Sequence, residues 1–280
     1  MVQITIYTAT GCTRCKIVKR FMEERGITYA ERDMKAEGKE EFQSFYKANR
    51  SGIFRGPDGI EFPIITDGEN IRQSIGASIA FLHSGTKLNG FFSVGTLHKE
   101  WVDGIHVSGG NPDNTEEYLA VLRYLKGNNL KLQIDTNGKN SLILQQVLRE
   151  NLADMLIVNI LGPQQLYSKL SEKEIDIDDV KASLGIVANF PKSKIETVIV
   201  PVIREDGTIS FLTPEEIGET AKLIEEGTGS KKNHYLLKMF NPKEAQESKF
   251  RLLDPLPNKL VFAYRTKART YQVFTEIENI

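Results

Sequence analysis

The sequence predicts an α/β protein in two parts: a small mixed sheet with helical cover, then a longer parallel array of β-α units that forms a partial barrel. Three observations carry this. Strand-like and helix-like segments alternate from residue 3 to about residue 84. From about residue 100 onward, short and nearly continuous apolar strands recur between amphipathic stretches, the pattern of a parallel sheet buried on both faces. And Cys12 and Cys15, the two cysteines among 280 residues, sit between a strand and a helix start, as thiol chemistry on an α/β scaffold requires. A chain of 280 residues reaches the size at which single cores stop growing, about 250–300 residues, so two domains are expected, 1–85 and 86–280.

The first part reads strand (3–8), helix (13–25), strand (28–33), helix (39–50), strand (62–67), helix (74–84). Arg25-Gly26 and Asp67-Gly68 punctuate it as turn residues do. Ser51 to Gly59 looks like a hairpin loop inserted before the strand that contains Pro63. The dithiol lies in Gly11-Cys12-Thr13-Arg14-Cys15, and Arg14 and Lys16 add positive charge beside it. A helix N-terminus stabilises a thiolate through its dipole and unpaired amides. Two intervening residues let the second sulfur resolve a mixed disulfide formed at the first. Half of a zinc site, a cluster bridge between two chains and a purely structural disulfide remain alternatives. Tetrahedral zinc needs four ligands, and His83, His98, His106 and His234 lie far from the pair in sequence.

With Ile6-Tyr7-Thr8 running into this pair, and Glu61-Phe62-Pro63-Ile64-Ile65 downstream, the first part resembles a glutaredoxin, in the broad thioredoxin-fold sense. The resemblance implies that Cys12 and Cys15 are the catalytic dithiol and that Pro63 is a cis proline opposite them. Thr13, Arg14, Phe62 and Pro63 would then dock the substrate thiol, with the Phe62 backbone pairing to it like a short strand. Where many glutaredoxins carry a lysine before the first cysteine this chain has Ala9, and in place of a Gly-rich acidic turn it has Asn70 to Gly76. Arg72 and Gln73 are the weak candidates for holding a glutathione carboxylate. The dithiol chemistry carries over and specificity for glutathione does not.

In the second part the strands are Gly104–Ser108, Leu130–Asp135, Met155–Asn159, Thr197–Val202 and Tyr235–Met239, with helices over Glu116–Lys126 and Leu142–Asn151. Ser108, Asn111, Asp135, Asn137, Asn159, Arg204 and Asn241 collect at strand C-terminal ends, the face on which such folds place their sites. The apolar residues of the linker at 85–97 predict packing. His106, Trp101 and Tyr124 read as packing residues. Lys259–Tyr264 and Tyr271–Thr275 read as two strands around a basic turn, a hairpin closing the sheet edge.

Val107-Ser108-Gly109-Gly110-Asn111-Pro112, followed by Asp135-Thr136-Asn137-Gly138, resembles the radical S-adenosylmethionine activating enzymes. That family carries a Gly-Gly-acidic-Pro turn after the second barrel strand and a Thr-Asn-Gly turn after the third. It also needs three cysteines for its cluster. No cysteine lies between Lys87 and Gly104, and neutral Asn111 stands where the acidic residue would hold the methionine amino group. The expectation is a degenerate barrel that is not an active radical enzyme. Its turns, Ser108, Gly109, Gly110, Asn111, Asp135, Asn137 and Asn159, are the candidates for a retained ligand pocket, set against the plainer reading of a tight glycine turn.

Thirty-six basic and 37 acidic residues leave no electrostatic footprint for nucleic acid. No apolar run reaches the length that spans a bilayer, and Met1-Val2-Gln3-Ile4 enters a strand without a signal-peptide pattern. With the thiol pair, this points to the cytoplasm. The leading expectation is a disulfide oxidoreductase acting on a disulfide-containing protein or on glutathione as co-substrate, re-reduced by a reductase, with no cofactor required and no metal. A nucleoside-like ligand-binding or redox-sensing module, and an iron–sulfur carrier bridged through Cys12, are the rivals.

Overall fold

The computed structural model describes residues 3–56, 59–93, 104–108, 112–171, 174–245 and 247–278. The chain divides into two compact units, Met1–Gln133 and Ile134–Ile280.

The first unit begins with β1 (Ile4–Thr8), α1 (Thr13–Glu24), β2 (Tyr29–Asp33) and α2 (Lys39–Ala48). The hairpin β3 (Arg55–Gly56) and β4 (Gly59–Ile60) follows, then β5 (Ile64–Thr66), β6 (Ile71–Gln73) and α3 (Ile75–Ser84). Its four-stranded sheet has the order β2-β1-β5-β6, parallel between β1 and β2 and antiparallel elsewhere. This is the mixed, helix-covered sheet expected of a thioredoxin-like domain. Helix α1 buries Ile17, Val18, Phe21 and Met22, apolar positions at the three- and four-residue spacing of one helical face. A second apolar cluster joins Tyr7, Phe42, Ile53 and Ile64. The inserted hairpin is present as expected, apart from Pro57 and Asp58, which lie outside the described residues. The sequence pattern has no counterpart for β6, because Asp67-Gly68 turns the chain after only three residues of β5. The Asp67 carboxylate accepts the backbone N–H groups of Glu69 and Asn70 at 3.0 and 2.6 Å and closes that turn.

The unit continues through β7 (Phe92–Ser93), β8 (Gly104–Ser108) and α4 (Thr115–Gly127) into β9 (Lys131–Thr136), and β7 pairs antiparallel with β8. In the linker, Leu88 and Phe92 are buried, so its described part packs as the sequence predicts. Tyr124 packs edge-on against Phe21.

The second unit carries α5 (Ser141–Arg149), β10 (Met155–Asn159), α6 (Tyr167–Leu170), α7 (Ile177–Ile186) and β11 (Ser193–Ile199). The small hairpin β12 (Pro201–Ile203) and β13 (Ile209–Phe211) precedes α8 (Pro214–Thr228), β14 (Tyr235–Met239), α9 (Ser248–Arg251), α10 (Asn258–Ala268) and β15 (Thr275–Ile277). The strand order is β15-β14-β11-β10-β9, and the β10–β11, β11–β14 and β14–β15 pairs are parallel. Parallel strands with intervening helices make this the expected partial (β/α) array.

The expected C-terminal hairpin is a correction. Residues 258–268 are helix α10, and Thr275–Ile277 pairs parallel to β14. Val261, Tyr264 and Ala268 are buried while Leu260 and Phe262 are exposed, which is the spacing of a helix face and not of a strand. Strand β11 also begins at Ser193, four residues before the expected start at Thr197.

Candidate functional site: a dithiol at a helix mouth

Buried Ile6 and Tyr7 anchor β1, and the chain leaves it through Gly11 at φ +82°, a conformation that glycine adopts without a Cβ penalty. The Cys12 N–H donates to the Ala9 carbonyl at 2.9 Å, which fixes the turn. Cys12 is then the N-cap of α1. Its Sγ accepts the Cys15 N–H at 3.1 Å, so the sulfur occupies the place an N-cap oxygen normally takes. Cys12 and Cys15 form a disulfide across Cα atoms 5.3 Å apart. Cys15 is 2% exposed, whereas Cys12 is half-buried and Thr13 exposed. The outer sulfur is therefore the accessible one. No acidic residue stands in the first turn of α1 to offset the positive helix end.

The facing strand arrives by antiparallel pairing of Tyr7 with Ile64. That register brings Pro63 alongside the end of β1 from which the cysteine loop departs. The Phe62–Pro63 peptide is cis. The Pro63 carbonyl accepts the Ser74 N–H at 3.1 Å, and the Phe62 ring packs at 5.3 Å from Phe42. Thus Cys12, Cys15, Thr13, Arg14, Phe62 and Pro63 all belong to this one strand–loop–helix junction and the strand beside it.

Two further residues adjoin it, Glu61 and the carboxylate candidate Gln73. Glu61 Oε1 lies 2.6 Å from Arg14 Nη1. Burial pushes the Glu61 carboxyl above its ordinary value, against the opposite pull of Arg14. Gln73 is buried. Its Oε1 accepts the Phe54 N–H at 2.8 Å, and its Nε2 donates to the carbonyls of Phe54 and Glu61 at 2.9 and 3.1 Å. One amide thus ties the inserted hairpin to the residue that holds Arg14. Glu61 was overlooked because its partner Arg14 is 47 residues away; Gln73, expected to hold a carboxylate, instead ties backbone groups 12–19 residues away. Arg72, the other weak candidate for a carboxylate, donates to Asn89 Oδ1 at 2.7 Å and to the Ile71 carbonyl at 2.8 Å.

Of the barrel candidates, Ser108, Asp135 and Asn159 lie at or near the ends of β8, β9 and β10. Gly109, Gly110 and Asn111 lie outside the described residues, and Ser108 ends β8. Asp135 is half-buried near the end of β9, and Asn137 accepts the Lys139 N–H at 3.2 Å. Gly138 takes φ +83° and donates its N–H to Thr136 Oγ1 at 3.1 Å. Ser183 donates to the Gly138 carbonyl at 2.6 Å. The Asp179 carboxylate accepts the N–H groups of Asn140 and Ser141 at 2.7 and 2.9 Å. Asn159 ends β10 in register with Glu196, a buried carboxylate contacted by Lys194 and lying 2.5 Å from Lys238.

A three-thiolate cluster does not fit this chain's donors: both cysteines share one disulfide. Among the described residues no three His, Cys, Asp or Glu side chains group as metal ligands, and no helix is long and apolar enough to cross a membrane.

Comparison with known proteins agrees with both halves of the reading. The glutaredoxin family model matches residues 4–52. The chain is 22% identical over 165 residues to the "Putative glycyl-radical enzyme activating enzyme" of Methanocaldococcus jannaschii, covering 57% of this chain and 63% of that protein. It therefore spans less than two thirds of that relative's length. Coproporphyrinogen III oxidase of Escherichia coli, described as a radical SAM enzyme, is 14% identical, with a TM-score of 0.42 over 61% of this chain and 40% of its own. The match over residues 4–52 gives the chain an N-terminal glutaredoxin domain, which supports thiol–disulfide redox function.

Proposed function

We propose that this protein is a cytoplasmic dithiol–disulfide oxidoreductase in which Cys12 attacks and Cys15 resolves. The observation that supports it most is the Cys12 sulfur at the N-cap of α1, accepting the Cys15 amide. The same amide and helix end would stabilise the thiolate once the disulfide is reduced. The Cys12 thiolate attacks one sulfur of a substrate disulfide, forms a mixed disulfide and expels the other sulfur as a thiolate, which takes up a proton. The Cys15 thiolate then attacks Cys12 Sγ, releases the second substrate thiol and closes the Cys12–Cys15 disulfide. Two electrons pass to the substrate, and an external dithiol reductase or glutathione returns them. Thr13, Arg14, Phe62 and Pro63 form the substrate dock beside the attacking sulfur.

The second domain serves in this reading to present a partner protein or small ligand, and runs no radical reaction. With two cysteines in the chain, the three thiolates of a radical-enzyme cluster are missing. Its likeness to a glycyl-radical enzyme activating enzyme favours one rival, a nucleoside-like ligand held near Ser108 to Asn111, Asp135, Asn137 and Asn159. Trapping with Cys15→Ser tests the main reading. A covalent mixed disulfide through Cys12 is expected, and it should vanish on adding dithiothreitol. Capture that persists in Cys12→Ser overturns it.

A further inference from the structure

Glu61 faces the dithiol motif with a charge of its own. It immediately precedes Phe62–Pro63, and its carboxylate lies 2.6 Å from Arg14, the guanidinium between the two cysteines. The two side chains are 27% and 20% exposed respectively, so water screens the pair only in part. Across the cysteine loop, Thr10 Oγ1 donates to Asp33 at 2.8 Å, and Asp33 also accepts the Lys35 N–H at 2.8 Å. Among the described residues, the charged groups on or beside the loop include Arg14, Lys16, Asp33, Lys35 and Glu61, with Glu31 held by Thr8 and Lys19 where β1 ends. Within the substrate dock, Arg14 is engaged by Glu61. The Gln73 amide fixes the Glu61 backbone from behind, so the carboxylate is held in place by the β6 and hairpin architecture.

Resting on the dithiol reading above, we infer that Glu61 is a specificity-determining residue: it withholds Arg14 from anionic substrates and selects protein disulfides with neutral or cationic flanks over glutathione disulfide. Glutathione disulfide carries carboxylates close to its sulfurs, and the cation best placed to meet them is already paired. Electrostatic complementarity of this kind acts on encounter and selectivity more than on the exchange chemistry itself.

The test is single-turnover oxidation of the reduced, desalted full-length chain by glutathione disulfide and, separately, by cystamine, a cationic disulfide. Acid quench and thiol alkylation read the rates. Glu61→Gln should raise the glutathione-disulfide-to-cystamine rate ratio about fivefold, and Arg14→Gln should lower it about fivefold. Both changes should fade at high salt. Opposite shifts distinguish charge selection from simple loosening of the loop, which would move both variants the same way. A ratio constant within about twofold in both variants, or a shared direction, overturns the inference while leaving the dithiol reading intact. If neither disulfide oxidises the wild-type chain, the dithiol reading itself fails.

Discussion

Two strand-to-helix junctions in this molecule use the same device differently. At the β1–α1 junction the chain turns through a glycine at φ +82° and caps the helix with the Cys12 sulfur. At the β9–α5 junction it turns through a glycine at φ +83°, and the amides of Asn140 and Ser141 donate to the Asp179 carboxylate, brought by α7. Ser183, also from α7, donates to the Gly138 carbonyl. A helix N-terminus stabilises whatever anion is placed on it. The first junction offers that stabilisation to a sulfur that can react, and the second commits it to a side chain that cannot. A Thr-Asn-Gly turn is therefore not a vacancy merely because it precedes a helix.

The largest expected effect separates these junctions by function. Cys12→Ser keeps an N-cap oxygen, and serine is a favoured cap. Disulfide reduction should fall by more than about 100-fold, while the melting temperature of the reduced protein moves by less than about 2 °C. A collapse in melting temperature would make the sulfur structural and erase the contrast. Asp179→Ala should do the reverse. It strands two amides that the carboxylate satisfied and should lower stability by about 2–3 kcal/mol in urea unfolding, with the disulfide exchange rate retained. Loss of exchange activity in that variant would contradict the division of roles.

A smaller effect compares the two turn glycines. A Cβ at Gly138 would lie 3.0 Å from Val180 Cγ1, whereas at Gly11 nothing lies within 4 Å. Both positions have positive φ, so Gly11→Ala should cost about 1 kcal/mol from backbone strain alone. Gly138→Ala should cost about 2 kcal/mol, because Val180 must also give way. Equal losses would mean that the α7 contact is slack.

The β1–α1 junction was legible in sequence with its function, whereas at the β9–α5 junction the strand and helix were legible and the carboxylate that closes the turn was not, for a physical reason. Cys12, Cys15 and the start of α1 depend on contacts within four residues, so the strand, the C-x-x-C spacing and the helix declare themselves together. Asp179 reaches Asn140 across 39 residues, and Gln73 reaches Phe54 across 19; no local pattern announces either. The same limit explains why α10 reads as a strand. Leu260-Val261-Phe262 is a contiguous apolar run, which suits a strand as well as a helix. Tertiary packing decided it by burying Val261, Tyr264 and Ala268 and leaving Leu260 and Phe262 in solvent. Most strands of the parallel array were legible because each carries a short buried apolar run, as in Met155–Asn159.

The smallest expected effect sharpens the comparison through the carboxylate at each junction. Asp179 accepts two helix amides, while half-buried Glu61 has its carboxyl pushed above the ordinary value by desolvation despite Arg14. A carboxyl raised in the folded state contributes stability below its ordinary pKa and loses it as pH rises through the raised value. Glutamine copies the protonated shape and does not titrate. The stability of Glu61→Gln relative to wild type should therefore increase as the pH window runs from below the ordinary carboxylate value up through the raised one. Asp33 and Asp67, which hydrogen bonds hold below the ordinary range, titrate with the opposite sign but occur in both proteins and cancel. Thermal melts of the two proteins across that window read the difference directly. A difference that shrinks toward neutral pH would mean that the Arg14 pair outweighs burial at the dithiol mouth.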